Sequence, residues 1–575
     1  MNVKLKYEIS APYKDNLIRA RGISDVEQFL LPSHSHLQDP HYLGTRTEME
    51  TAKNWIEKYQ GCAALTVVDS DCDGFCASTI LLNYLKDVYP NWEIDFFTHS
   101  KKQHGLEDVV EELDLDEYEL VFLPDAGSND DEYFAQYPNT KFIILDHHLR
   151  SIECPCPDNA VIINNQVASD YKNKSLSGAG VTWQFCRYLD YELDVKYADQ
   201  YTDLAAVAII GDVMDITTLE NRYIIDQGIR NFKNTFLKLL RDNAAYSLGD
   251  SVTPIGIAFY IVPMINSMCR MGTAEEKERL FLAFYNPTFQ VECHKRGVAK
   301  GTMIDVAIES VRECTNAKAR QKKLQTQMAE LCEKQIIENG LDENKIMIIQ
   351  LNEEFEDMPS EMNGLTATKL ANDYGHPVII GRVNNDGFLR GSMRGLSTID
   401  MPPLKEFFIS SGLFEFVEGH SLAAGCSIPY KKLDEFTKWA NEQLKDVQMD
   451  SKTWFVDFKA KGKDADLKAI ICSMDELSHL WGQGFPEAML YVDDISVSRA
   501  DISVMGKNAD TVKITHNGIS YMFFKRSPEE VKELTQYARA KLRVVGTANL
   551  NVYYNRTTPQ IFVSDYEIED DRLGF

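Results

Sequence analysis

The stretch Val67-Val68-Asp69-Ser70-Asp71-Cys72-Asp73-Gly74-Phe75-Cys76, continuing to Leu85, decides how this chain is read. It is preceded by Ala63-Ala64-Leu65-Thr66, so an apolar run of strand length ends at Val68. From Cys76 to Val88 the apolar residues recur at helical spacing. Asp69, Asp71 and Asp73 are therefore crowded where a strand ends. Neighbouring carboxylates repel one another, and burying them without a partner is costly. The pattern calls for something positive.

Working outward, Ala64–Val68 is followed by four more apolar runs, Glu93–Phe97, Leu120–Leu123, Phe142–Leu145 and Val161–Ile163, alternating with helical stretches. That alternation predicts a doubly wound α/β domain with a mostly parallel sheet. In such folds the ligand crevice lies at the carboxyl ends of the strands. Here those ends carry acids and imidazoles. Leu120–Leu123 runs into Pro124-Asp125-Ala126-Gly127-Ser128, and Phe142–Leu145 into Asp146-His147-His148. The helical stretch Leu204–Ile210 runs into Gly211-Asp212-Val213-Met214-Asp215. A single Asp after a strand is ordinarily a cap or turn residue, and a lone His pair ordinarily packing or surface. Several such ends together exceed what capping needs. If the strands are neighbours, Asp69, Asp71, Asp73, Asp125, Asp146, His147, His148 and Asp212 share one crevice. Mixed carboxylate and imidazole donors suit Mn²⁺ or Mg²⁺, in number enough for two ions. A two-ion site clamps the attacking and leaving oxygens of an in-line phosphoryl displacement.

A chain of 575 residues is too long for one core. Residues 1–49 read as an N-terminal helical extension broken at Pro32 and Pro40, and 50–220 as the α/β domain. Residues 221–301 read as a helical part of the same core. Residues 302–339 lack Gly and Pro and read as a bridging helix of roughly 55 Å at 1.5 Å per residue. A second α/β pattern occupies 340–448. The tail, 449–575, has short Gly-punctuated strands that predict a small barrel.

No apolar run reaches the length of a membrane span, and MNVKLKYEIS lacks a signal-peptide core, so no membrane partner and a cytoplasmic location are expected. The cysteines are scattered. Their one close pair, Cys154-Pro-Cys156, has neither zinc-ribbon nor CxxC spacing, which predicts reduced thiols. A net charge of −27 argues against broad attraction to polyanions and confines any nucleic-acid groove to a narrow basic strip.

DSDCDG, PDAGS, LDHH and IIGDVMD resemble the four motifs of the DHH phosphoesterases, named for the triplet that stands here as Asp146-His147-His148. The resemblance implies Asp71, Asp73, Asp125, His147 and Asp212 as metal ligands, with Asp125 bridging two ions. It further implies that His148 faces the scissile phosphate while Asp146 orients the histidines. Asp69 joins this catalytic group as a ligand or a hydrogen-bond partner. RGISDVEQFLLP, LSGAGVTW, PMINSMCRM, GLTATKLANDYGHPVII, LRGSMRG, EGHSLAAG and WGQGFPEA extend the resemblance to the RecJ-type single-stranded-DNA exonucleases. That implies a second domain of the DHHA1 type, whose Gly-rich loops hold phosphates, and an OB-like C-terminal barrel that includes WGQGFPEA. Lys101, Lys102 and His104 stand near where that subfamily usually has an Arg and an aromatic.

The implied activity is metal-dependent hydrolysis of single-stranded DNA from the 5′ end to mononucleotides, in DNA repair or recombination. The implied form is a monomer, with single-stranded DNA as substrate and a single-strand-binding protein or a helicase as protein partner. Arg270, Lys369, Arg390, Arg394 and His420 are the expected nucleic-acid contacts, the last two in Gly-flanked loops. In the tail, Tyr521, Phe523, Tyr553 and Tyr554 lie beside Lys525, Arg539 and Arg543, a composition suited to stacking on single strands. Two rival readings are a DHH phosphodiesterase acting on short oligonucleotides or cyclic dinucleotides, and a non-catalytic replication scaffold. The strand-rich tail speaks against the first and the filled ligand positions against the second.

Overall fold

Five strands, Ala64–Val68, Asp95–Thr98, Leu120–Pro124, Lys141–Asp146 and Ala160–Asn164, pair in parallel throughout. Ala64–Val68 and Leu120–Pro124 are buried at every position. Strands covered on both faces read as continuous apolar runs, which is why they were legible. The strands lie in the order 95–98, 64–68, 120–124, 141–146, 160–164. From Ala64–Val68 the chain steps to one side, returns, and then builds outward on the other. The direction of winding therefore reverses between Ala64–Val68 and Leu120–Pro124. A crevice at the carboxyl ends marks such a switch point, and Asp69 and Asp125 follow these two strands.

The computed structural model describes residues 1–100, 103–151, 156–249, 251–356, 358–449, 452–553 and 556–570, with only the backbone of Tyr553. Lys101, Lys102, Cys154, Tyr554 and the Tyr553 side chain lie outside the described residues. The chain divides into two units: Arg21–Ala319 with Ser478–Pro486, and Met1–Ala20 with Arg320–Leu477 and Glu487–Phe575.

In the first unit, helix Cys72–Val88 is buried along most of its length and packs against helices Gly178–Leu193 and Thr202–Gly211. Beyond Thr202 and Asp203, Thr202–Gly211 is apolar all round, as a helix enclosed by others must be. Residues 221–301 are not wholly helical, because Gln290–Glu292 pairs antiparallel with Met303–Asp305. Gly297 and Gly301, with φ of 89° and 82°, supply the left-handed backbone of the connecting loop. The bridging helix consequently starts later than expected. It runs Val306–Asn339, about 51 Å at 1.5 Å per residue, and the division between the units falls within it.

The N-terminal 49 residues are not one helical extension. Asn2–Leu5 is a strand pairing in parallel with Thr453–Val456, with Asn2 Nδ2 donating to Thr453 Oγ1 at 3.1 Å. A strand specified by so distant a partner leaves no local signature. WGQGFPEA also divides, since Ser478–Pro486 belongs to the first unit. The Ile216 amide donates to the Gln483 carbonyl at 3.0 Å, and Trp481 stacks on Phe485 at 5.1 Å. The Arg21 guanidinium lies over both rings.

In the second unit, five strands lie in the order Phe416–His420, Ala423–Pro429, Phe388–Arg394, Val378–Val383, Met347–Gln350. Val378–Val383 and Met347–Gln350 pair in parallel and the rest antiparallel. This is the second α/β domain, with Leu389, Met393, Phe408 and Phe436 in its core. The tail forms a seven-stranded mixed sheet built on the long hairpin Arg539–Tyr553 and Arg556–Asp570, the OB-like domain. The ladder of that hairpin is irregular between Val545 and Gly546. A Cβ on Gly546 would lie 2.1 Å from the Phe562 carbonyl oxygen, so only glycine fits. Tyr521 and Phe523 are fully buried and serve as core, not as stacking surfaces. Among the described residues every cysteine is a free thiol, and no helix is long and apolar enough to cross a membrane.

Candidate metal centre

Asp71 is the N-cap of helix Cys72–Val88, its Oδ1 accepting from the amides of Asp73 (2.9 Å) and Gly74 (3.3 Å). Asp69 is buried behind it, and a Cβ on Gly74 would fall 2.4 Å from the Asp69 Cβ, so the motif's glycine is compulsory. Asp73, also buried, accepts from Ser177 Oγ (3.0 Å), Gly178 N (2.8 Å) and Ala179 N (2.8 Å). These amides are at the N-terminus of helix Gly178–Leu193, where backbone N–H groups lack partners and a negative charge is favoured.

Asp125 takes a φ of 71°, a left-handed conformation that Asp tolerates better than most residues. A Cβ on Gly178 would lie 2.2 Å from Asp125 Oδ1. Asp146 organises the triplet. Its Oδ1 accepts from the amides of His147 (2.7 Å) and His148 (3.1 Å) and from His148 Nδ1 (2.8 Å), while Oδ2 accepts from Ser128 N at 3.0 Å. With Nδ1 so engaged, His148 keeps Nε2 for another partner, on a side chain that is half exposed. His147 Nε2 lies 3.3 Å from Asp125 Oδ1, 3.5 Å from Asp212 Oδ2 and 3.8 Å from Asp73 Oδ2.

The electrostatics are those of crowded, buried carboxylates. Burial pushes Asp69 and Asp73 up from the usual carboxylate range. Asp125 is raised well above it, by burial and then by the charges of Asp73, Asp71, Asp69 and Asp212. Burial and the charges of Asp73 and Asp71 carry Asp212 to about 8. Burial lowers His147, leaving a neutral imidazole with a lone pair to offer. Burial opposes the charged forms of Asp146 and His148 as well, yet their mutual hydrogen bond prevails. It holds Asp146 far below its ordinary value and lifts His148 to about 9.

Asp125 Oδ1 is buried without a hydrogen-bond partner. Donor atoms of Asp69, Asp71 and Asp125 lie within 4.8 Å of one another, as do those of Asp73, His147 and Asp212, and those of Asp125, His147 and His148. Hard oxygen donors, one neutral imidazole and an orphaned carboxylate oxygen fit divalent cations. Asp125 and His147 each belong to two of these three sets, and of the two only Asp125 is a carboxylate, with two oxygens to offer.

The profile of the DHH family, N-terminal domain, matches residues 64–209, and that of the RecJ OB domain matches residues 456–565. A putative SPbeta prophage-derived single-strand DNA-specific exonuclease of Bacillus subtilis (strain 168) is 31% identical over 561 residues, 96% of this chain and 95% of that protein. The chain belongs to the RecJ-type branch of the DHH family. The single-stranded-DNA-specific exonuclease RecJ of Haemophilus influenzae is 23% identical over 88% of this chain and 86% of its own length. The manganese complex of RecJ from Thermus thermophilus shares the fold, with a TM-score of 0.71 at 19% identity over 98% of this chain and 79% of that one.

The geometry of this RecJ-type chain brings all eight sequence-predicted residues of the centre together. It adds four that sequence reasoning did not assign to the centre. Ser177 and Gly178 hold Asp73 and admit Asp125. His104 Nδ1 pairs with the Asp69 carboxylate at 2.7 and 2.9 Å, with its ring 6.2 Å from that of His148. Asn266 Oδ1 accepts the Cys72 amide at 3.0 Å and so fixes the carboxylate-bearing loop, with Arg270 one turn further along the same helix. The Ser-Gly-Ala-Gly run was the one available signal for the first pair.

The other basic candidates are in the second unit. Arg394 and His420 lie on strands rather than in loops, and both register with Ala423, which puts them in one row across the sheet. The Arg394 guanidinium lies so close to Gly364 that a Cβ there would come within 2.3 Å of it. Lys369 is ion-paired with Glu333 and Asp373, and Arg390 with Asp386 and Glu415.

Proposed function

We propose that this RecJ-type chain is a divalent-metal-dependent exonuclease that hydrolyses single-stranded DNA from the 5′ end to mononucleotides, in DNA repair or recombination. The observation that carries the reading is the shared position of Asp125, buried, orphaned at Oδ1 and common to two donor sets. The names of the relatives supply the substrate class. Two bound ions, Mn²⁺ or Mg²⁺, would supply the positive charge that an in-line displacement at phosphorus needs. Asp71, Asp73, Asp125, His147 and Asp212 hold them, with Asp69 beside Asp71 and Asp125. His148, oriented by Asp146, faces the scissile phosphate. Arg270, Lys369, Arg390, Arg394 and His420 contact the strand, for which the two ion-paired cations must first release their acidic partners. The protein acts as a cytoplasmic monomer alongside a single-strand-binding protein or a helicase.

The test is degradation of an internally labelled 40-nucleotide single strand with Mn²⁺, beside the same strand with a blocked 5′ end and a cyclic dinucleotide. Release of mononucleotides from the free 5′ end alone is expected. Cleavage of the cyclic dinucleotide with the 40-mer left intact would replace this reading with the phosphodiesterase one.

A further inference from the structure

The helix that carries Asn266 and Arg270, Val262–Met271, is entered through a five-residue π turn, Ile257–Ile261. Pro263 explains the turn. In a regular α-helix its N–H would be donated to the Phe259 carbonyl, but proline has none and its ring crowds that carbonyl. The chain widens instead, and the Val262 amide donates to the Ile257 carbonyl five residues back. Ile257 and Ile261 stay buried, while the extra residue leaves Phe259 67% exposed.

A single exposed phenylalanine is ordinary. Its placement is not. Phe259, Pro263 and Arg270 recur at spacings of four and seven, one stripe of the helix, with Asn266 beside it. Along the axis, about 10 Å separates Phe259 from Asn266 and about 6 Å separates Asn266 from Arg270, on opposite sides. Asn266 holds the amide of Cys72, the residue between Asp71 and Asp73. The stripe therefore borders the metal centre, with a cation on one side and an exposed ring on the other. Cations that follow the backbone and rings that take the bases are how single strands are bound without sequence preference.

We infer that Phe259 is a stacking platform for one nucleobase of the bound strand, within about three nucleotides of the scissile phosphate at a stacked rise of 3.4 Å. The inference rests on the single-strand nuclease reading and adds a base-binding position to it. Phe259 is not a catalytic residue. It positions the strand through a base.

The experiment compares wild type, Phe259→Ala and Phe259→Trp on a series of Mn²⁺-supported single-strand substrates, each with one abasic nucleotide at a successive position from the 5′ end. Phe259→Ala is expected to raise KM about tenfold on the intact strand with a smaller change in kcat, and Trp to preserve KM. At one abasic position the wild type should lose about as much as the alanine variant does, and the variant should lose nothing further. An unchanged KM in Phe259→Ala, or losses that simply add at every abasic position, would overturn the stacking role while leaving the nuclease reading intact. Failure of the wild type to cleave any single strand would remove both.

Discussion

Gly178 stands where any side chain would strike Asp125: a Cβ there would be 2.2 Å from Asp125 Oδ1. The same residue donates its amide to Asp73 Oδ2 at 2.8 Å. Two carboxylates of the centre are therefore registered by one glycine. Gly178→Ala is expected to cut Mn²⁺-dependent turnover about a hundredfold, the usual scale for a displacement near 1 Å in a reacting constellation. Steady-state kinetics with parallel manganese titration checks this, and a variant within threefold of wild type would show that the helix start can yield.

Asp125→Asn keeps a residue that tolerates the left-handed backbone but removes the charge proposed to bridge two ions. Turnover should fall by a thousandfold or more, as for loss of a central electrostatic group. The metal-free protein should melt no lower than wild type, because carboxylate repulsion is relieved and no cavity opens. Retention of more than about a tenth of the rate would contradict the bridging role.

The stability of the metal-free protein should depend on pH in a particular sense. Asp212, raised to about 8, and Asp125, raised well above the carboxylate range, keep protons that the unfolded chain gives up near pH 4. The folded state then binds more protons than the unfolded one, so stability falls as pH climbs from about 4 to 8. His148, lifted to about 9, extends the decline above pH 6.5. His147, lowered by burial, opposes it only below that value. Thermal melts in chelator should lose on the order of 5 °C over this range, and saturating Mn²⁺ should flatten the profile. An identical slope with and without metal would refute the assignment.

His148→Ala should lower turnover a hundredfold or more while two manganese ions still bind, since His148 is anchored by Asp146 and is proposed to face the scissile phosphate. Calorimetry showing one ion instead of two would move His148 among the ligands, where its distance to Asp125 and His147 would allow it.

Truncation before Lys452 removes more than the OB-like domain. It strips Trp481, Gln483 and Phe485 from Arg21, Phe29 and Ile216 of the first unit. The truncated protein should therefore melt several degrees lower and expose apolar surface to dye. An unaltered melt of the first unit would show those contacts to be dispensable.

The parts legible in the sequence share one physical cause. Four of the five parallel strands are buried at nearly every position, Asp95–Thr98 being the exception, so they announced themselves as apolar runs, and the acids beyond their ends marked the crevice. What escaped was set by distant partners. Asn2–Leu5 is a strand because of Thr453–Val456, and His104 belongs to the centre because of Asp69. Tyr521 and Phe523 show a different limit. Alternation announced a strand, but one that is buried at every position does not say so in its aromatics.

Both oxygens of Asp73 are already engaged by Ser177, Gly178 and Ala179, and Asp71 is already a helix cap. Protein donors thus hold two of the carboxylates in register. A chelated preparation, kept mildly acidic, is therefore expected to take up Co²⁺ or Cd²⁺ as a spectroscopic reporter with no refolding step.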